Sequence, residues 1–170
     1  MTMNQKLYDA LSTIMEMIPE SYAFIHGSGS YPEIKGSVYF YPMWDGTLVV
    51  AEIEELPQSE SSCQDVILGF HIHTGNRCLP SDSDPFGKTG LHYNPGNCEH
   101  PNHAGDLPPL FVNHGKALLI FYTDRFHPDE IVGRTVVIHN MPDDLHSQPS
   151  GNSGEKIACG EIKSNKMNPF

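Results

Sequence analysis

Ten histidines in 170 residues are more than ordinary packing needs, and most lie between Phe70 and His146. His71 and His73 form a His-x-His at the end of a β-rich run. Residues two apart on a strand point to one face, so both imidazoles can reach one ion. Read alone, the pair is weak evidence for an ion and reads more simply as two polar residues on an exposed sheet face. His92, His100, His103 and Asp106 fall within fifteen residues of one another. Three imidazoles and a carboxylate make a tetrahedral zinc set, because zinc accepts nitrogen and oxygen donors in a closed four-coordinate site. An ion there would also organise a segment that lacks regular backbone pairing. His139 ends the apolar run Val136-Val137-Ile138. Joined to His71, His73 and one loop histidine, it gives a nitrogen-rich set that suits Cu(II). Zinc accepts the same donors, so donor type alone leaves redox chemistry open. His26, His114, His127 and His146 lack matching partners and read as surface or structural residues.

Seven short β runs carry or flank these side chains: 23–25, 36–41, 47–53, 66–73, 116–122, 134–139 and 156–162, each rich in β-branched and aromatic residues. Asp45-Gly46 between two of them is a hairpin signal. Two long stretches break the rhythm, Thr74 to Pro109 and Asn140 to Glu155, both rich in turn-forming residues. Loops longer than about 15 residues inside a compact domain are commonly functional, and these hold or flank the histidines. Ahead of the β runs, Leu7, Leu11, Ile14, Met15 and Ile18 recur at helical spacing, which predicts an amphipathic helix over Gln5–Ile18, stopped by Pro19 and docked by its apolar stripe. The expected organisation is a helical extension over 1–19 and one all-β sandwich or barrel over 20–170.

Composition narrows the function. Twenty-one acidic residues against 10 basic ones give a net charge of −11, which opposes binding to nucleic-acid phosphates. No run of 18 apolar residues is present, so no helix is expected to span a membrane. The first residues lack a basic stretch followed by an apolar one. That suggests a cytoplasmic protein, or a periplasmic or extracellular one whose signal is already removed. Four cysteines, Cys63, Cys78, Cys98 and Cys159, allow three fully paired connectivities, and bridging them would favour an oxidising compartment.

Five segments together resemble the copper/zinc superoxide dismutases: Gly69-Phe-His-Ile-His73, Gly90-Leu-His-Tyr-Asn-Pro95, His103-Ala-Gly-Asp-Leu-Pro108, Gly133-Arg-Thr-Val-Val-Ile-His139 and Gly151-Asn-Ser-Gly-Glu-Lys-Ile-Ala-Cys-Gly160. They occur in the family's order, and Gly-Asp-Leu-Pro, with Cys78 five residues past His73, is closer to the bacterial branch. The resemblance implies an eight-stranded antiparallel Greek-key β-barrel, a close relative of the immunoglobulin-like sandwich. It implies copper on His71, His73, His92 and His139, and zinc on His92, His100, His103 and Asp106, with His92 shared as a bridging imidazolate. Asp143 matches the aspartate that links copper-side and zinc-side histidines, and Cys78 and Cys159 match the family disulfide.

The implied reaction converts superoxide to dioxygen and hydrogen peroxide, with copper cycling between Cu(II) and Cu(I) and His92 carrying a proton to the forming peroxide. A non-catalytic module that stores or delivers copper is the alternative, and family members work as monomers or homodimers. Lys156 stands where the family usually has arginine beside copper, with Lys88 and Arg77 as further cations to draw in the anion. Lysine keeps the charge but loses the planar fork, an expected cost of about tenfold in rate, ~1.4 kcal/mol, which Lys156→Arg would recover. Only two residues separate His100 from His103, where the family usually has a longer insert, so a shifted ion or altered zinc affinity is expected. Cys63 and Cys98 match no family bridge and are expected as free thiols.

Overall fold

Alternating inward and outward side chains lay down most of the architecture. In the computed structural model, which describes residues 16–61 and 66–165, ten strands form and every pairing is antiparallel. They are β1 Ser21–Gly27, β2 Lys35–Met43, β3 Gly46–Glu54, β4 Val66–Leu68, β5 Phe70–His73, β6 Leu110–Val112, β7 Ala117–Thr123, β8 Thr135–His139, β9 Lys156–Glu161 and β10 Lys163–Ser164. Eight belong to one sheet in the order β5-β8-β9-β1-β2-β3-β7, with β10 added beside β1. The chain from β3 to β5 and the connection from β7 to β8 cross from the β3–β7 side of this path to the β5–β8 side, as in a Greek key.

The sheet curls because one stretch of chain serves both of its ends. Val66–Leu68 pairs with β6, which turns through Asn113–Lys116 into β7, while Phe70–His73 pairs with β8. Gly69 is the break between β4 and β5. A Cβ there would stand 2.9 Å from Ser153 Cβ and 3.3 Å from the His71 ring, so only glycine lets the loop and the ring close over this kink. Inside the curl, Ala23, Ile25, Val38, Phe40, Val49, Ala51 and Ile53 meet Phe70, Ile72, Val136, Ile138 and Ile157 in one buried cluster.

All seven predicted β runs form strands, with two differences and two additions. The run 66–73 is split at Gly69, and the turn after β2 is Trp44-Asp45, because Gly46 already pairs with Met43 as the first residue of β3. The three-residue β6 and two-residue β10 carry too few side chains to show a period of two. All but the last three positions of the helix predicted over Gln5–Ile18 lie outside the described residues, as does Cys63.

Candidate metal centre

The register that builds the core also aims the first histidines. Phe70 and Ile72 point inward, so His71 and His73 point to the outer face of β5, where they oppose Val137 and Thr135 of β8. His139 ends β8 on that same face, its N–H bonded to Gly69 O at 2.9 Å. The other edge of β5 is stitched to the Thr74–Pro109 loop. Ile72 N–H donates to Gly105 O, Tyr93 N–H to Ile72 O and Thr74 N–H to Leu91 O, at 2.8–2.9 Å. These bonds set His92 beside His73 and Asp106 beside His71 as isolated bridge partners.

Two groups of four donors result, His71–His73–His92–His139 and His92–His100–His103–Asp106, and in each the donor atoms lie within 4.8 Å of one another. His92 belongs to both. Its ring centroid is 4.0 Å from that of His71 and 5.6 Å from that of His103. The structure brings the implied ligands together as these two groups, and His100 lies in a turn closed by Asn102 N–H on Glu99 O, one residue before His103.

Among the described residues, four ring nitrogens that face inward have no hydrogen-bond partner. Nδ1 of His71, Nε2 of His92, Nδ1 of His100 and Nδ1 of His103 are all buried and unsatisfied. Buried polar atoms are normally paired, because desolvation without compensation is costly. His100 and His103 Nδ1 lie 3.1 and 3.2 Å from the same Asp106 oxygen without hydrogen-bond geometry, an arrangement of donors converging on a common point. His73 and His139 each give Nδ1 to a carbonyl, Gly90 O at 3.0 Å and Gly154 O at 3.2 Å. A carbonyl can only accept, so both rings carry the proton on Nδ1 and turn the Nε2 lone pair inward, where the two Nε2 atoms stand 3.4 Å apart. The donor set fits two cations that take nitrogen and oxygen ligands.

Asp143 ties the two groups together. Its Oδ2 is 2.7 Å from His71 Nε2, and its Oδ1 is 2.9 Å from His100 Nε2 and accepts Leu145 N–H at 2.7 Å. Such outer carboxylates fix the tautomer and orientation of the rings they hold. Gly151, at φ +67°, leaves the room: a Cβ would reach 2.7 Å from His100 Nε2 and overlap the carboxylate. Burial, chiefly, pushes His71 below the usual imidazole range, His73 well below it, and His139 down to about 3. The shifts favour the neutral imidazole, the form that can ligate. Burial works against ionised Asp143, yet the hydrogen bonds from His71, Leu145 and His100 hold it below the usual carboxylate range.

Three supporting side chains were not singled out from sequence. Arg125 Nη1 donates to the carbonyls of Pro101, His103 and Asp106 at 3.2, 3.1 and 3.3 Å, bracketing the loop donors. Gln148 accepts from His100 N–H at 3.1 Å and donates to His100 O at 2.8 Å. Asp84 meets Lys156 Nζ at 2.7 Å. Arginine and glutamine here grip backbone, which leaves no side-chain pattern to read. Of the expected cations, Lys156 stands opposite His139, because a one-residue register shift after Ile138 skips Ile157. Arg77 instead points to Glu161 at 3.3 Å, and Lys88 is exposed.

The expected bridge is present between Cys78 and Cys159, Cα–Cα 5.7 Å, fastening the loop to β9, and Cys98 is an exposed free thiol. His26, His114, His127 and His146 belong to neither donor group.

Known proteins align with this arrangement. The family model described as copper/zinc superoxide dismutase matches residues 34–162. The Cu-Zn superoxide dismutase of Deinococcus radiodurans is 34% identical over 146 residues, spanning 75% of this chain and 76% of its own. The Cu/Zn superoxide dismutase structure from Brucella abortus superposes with a TM-score of 0.70 at 27% identity, covering 85% of this chain and all of that one. A double mutant of a SOD-like protein from Bacillus subtilis gives a TM-score of 0.68 at 26% identity, over 84% of this chain and 97% of that one. A match across most of the chain, joined to two histidine groups that share one ring, places this protein in the copper/zinc superoxide dismutase family.

Proposed function

We propose that this chain converts superoxide to dioxygen and hydrogen peroxide, with His71, His73, His92 and His139 holding copper and His92, His100, His103 and Asp106 holding zinc. The observation that carries the assignment is the set of inward-facing ring nitrogens without a partner among the described residues, with His92 common to both groups. Copper bound there supplies the one-electron exchange between Cu(II) and Cu(I), and zinc supplies a fixed charge without redox change.

The remaining roles belong to the protein. Asp143 holds His71 and His100 by Nε2, so that both rings present Nδ1. His73 and His139 are locked by carbonyls to present Nε2. His92 stays anchored through Nδ1 on the Asp106 side, 2.7 Å from Oδ1, and its buried Nε2 is the atom that takes and returns a proton. Lys156, opposite His139, places a cation beside the copper-side rings in a chain of net charge −11, where a local charge must draw the anion against the overall field. The body from residue 20 onward carries the whole site, acting as a monomer or homodimer without nucleic acid or membrane.

Protein loaded with both metals and assayed for superoxide removal tests the reading. Rapid removal that is lost in His92→Ala supports it. Stoichiometric binding of both ions without superoxide removal would return the storage or delivery alternative.

A further inference from the structure

Lys156 does not face the copper-side rings as an unpaired charge. Its Nζ lies 2.7 Å from Asp84 Oδ2, the lysine side chain is 14% exposed and the carboxylate 32%, so the pair is shielded more than an open surface ion pair. Both halves are fixed. The other oxygen of Asp84 accepts Phe86 N–H at 2.8 Å, and Phe86 is buried against Val137 and Cys159, with Cys78 packed alongside. The same disulfide that ties Cys78 to Cys159 therefore holds the Asp84 segment against the strand that carries Lys156.

We propose that Asp84 is a positioning residue that restrains the Lys156 ammonium and limits how strongly the site attracts its anionic substrate. The proposal rests on the dismutase reading above. Of the three cations that the sequence offers to draw in the anion, two, Lys156 and Arg77, are each matched by a carboxylate. Removing the carboxylate at Asp84 returns a whole positive charge to the edge of the site.

Asp84→Asn is the test. The asparagine keeps the acceptor for Phe86 N–H, so the loop keeps its turn while the charge is lost. In the copper- and zinc-loaded protein, kcat/KM at low ionic strength should rise about two- to fivefold, fall more steeply with added salt, and leave kcat nearly unchanged. Azide, titrated against the copper absorption band, should bind about two- to fivefold tighter. In metal-free protein, acetic anhydride should label Lys156 faster, read by mass spectrometry of the peptide. Unchanged azide affinity and unchanged salt dependence would overturn the proposal, even with faster labelling. Weaker azide binding would overturn it too, by showing that Asp84 aims the lysine at the anion. Wild-type protein that binds both metals but removes no superoxide would instead defeat the dismutase reading, while labelling and azide binding still judge the pair.

Discussion

His71, His73 and His139 stand on strands whose register is set by burying Phe70, Ile72, Val136 and Ile138 on the opposite face. His100, His103 and Asp106 stand on a loop without such a ladder, and their places depend on Arg125, Gln148, Asp143 and backbone bonds to the edge of β5. The first set is aimed by the core and needs no helper beyond a carbonyl or carboxylate behind each ring. The second is aimed by polar contacts, and its geometry depends on ties to the barrel. His92 sits where the two meet, bridged to His73 by backbone and to Asp106 by its ring. A shared ring therefore couples a rigid half of the centre to a half that is only as ordered as its ties.

Breaking the disulfide should separate the two halves most strongly. Cys78–Cys159 closes a span of 81 residues that contains the whole loop set, and in the chain-entropy model its loss costs roughly 4 kcal/mol. Cys159→Ser should lower the unfolding midpoint in guanidinium and accelerate zinc loss to a chelator more than copper loss. Equal acceleration for both ions would show that the strand set leans on the loop as well.

Deleting single ligands sharpens the comparison next. A structural zinc site gains about 10–16 kcal/mol from four ligands, so one ligand is worth roughly 3 kcal/mol, ~10²-fold in affinity. His100→Ala should lose zinc affinity by that factor with copper affinity nearly intact, and His139→Ala should do the reverse. His92→Ala should weaken both. Calorimetric titration of each metal into each variant reads all three outcomes.

Acid comes next, because it acts on the strand set. His139 is held near 3 against 6.5 unperturbed, with His73 and His71 shifted in the same direction. Between these values the unfolded chain binds more protons than the native one, so stability falls as pH falls. For His139 alone the loss from pH 7 to pH 5 is on the order of 2 kcal/mol. Asp143, whose carboxyl is also held low, adds loss in the same direction at lower pH still. Denaturant melts of metal-free protein across this range should show the midpoint dropping with acid, and a flat profile would contradict the burial argument.

The smallest effect is expected at Arg125, an exposed side chain whose three bonds reach main-chain carbonyls. Arg125→Met should cost about 1 kcal/mol and speed zinc release severalfold, with copper retention unchanged.

The strand half was the more legible in sequence. A period of two marks which side of β5 carries histidine, so the sequence itself pairs His71 and His73. The loop donors stand out by residue type and by likeness to a family, because spacing alone does not say how His100 and His103 converge; a turn at Asn102 and an arginine some twenty residues on decide that. Lys156 was read for its charge. Its neutralisation by Asp84 was hidden, since that contact joins residues 72 apart through the fold of the loop. β6 and β10 leave no signal in the sequence because two or three residues cannot display alternation.

The central claim is that the ring of His92 joins two cations. Electron paramagnetic resonance tests it most directly: copper is loaded into the strand set with zinc in the loop set, then copper into both. If one imidazolate bridges the pair, filling both places with Cu(II) should couple the two spins and remove most of the signal seen with one copper. Two independent Cu(II) signals of full combined intensity would contradict the shared ring and the proton-carrying role built on it.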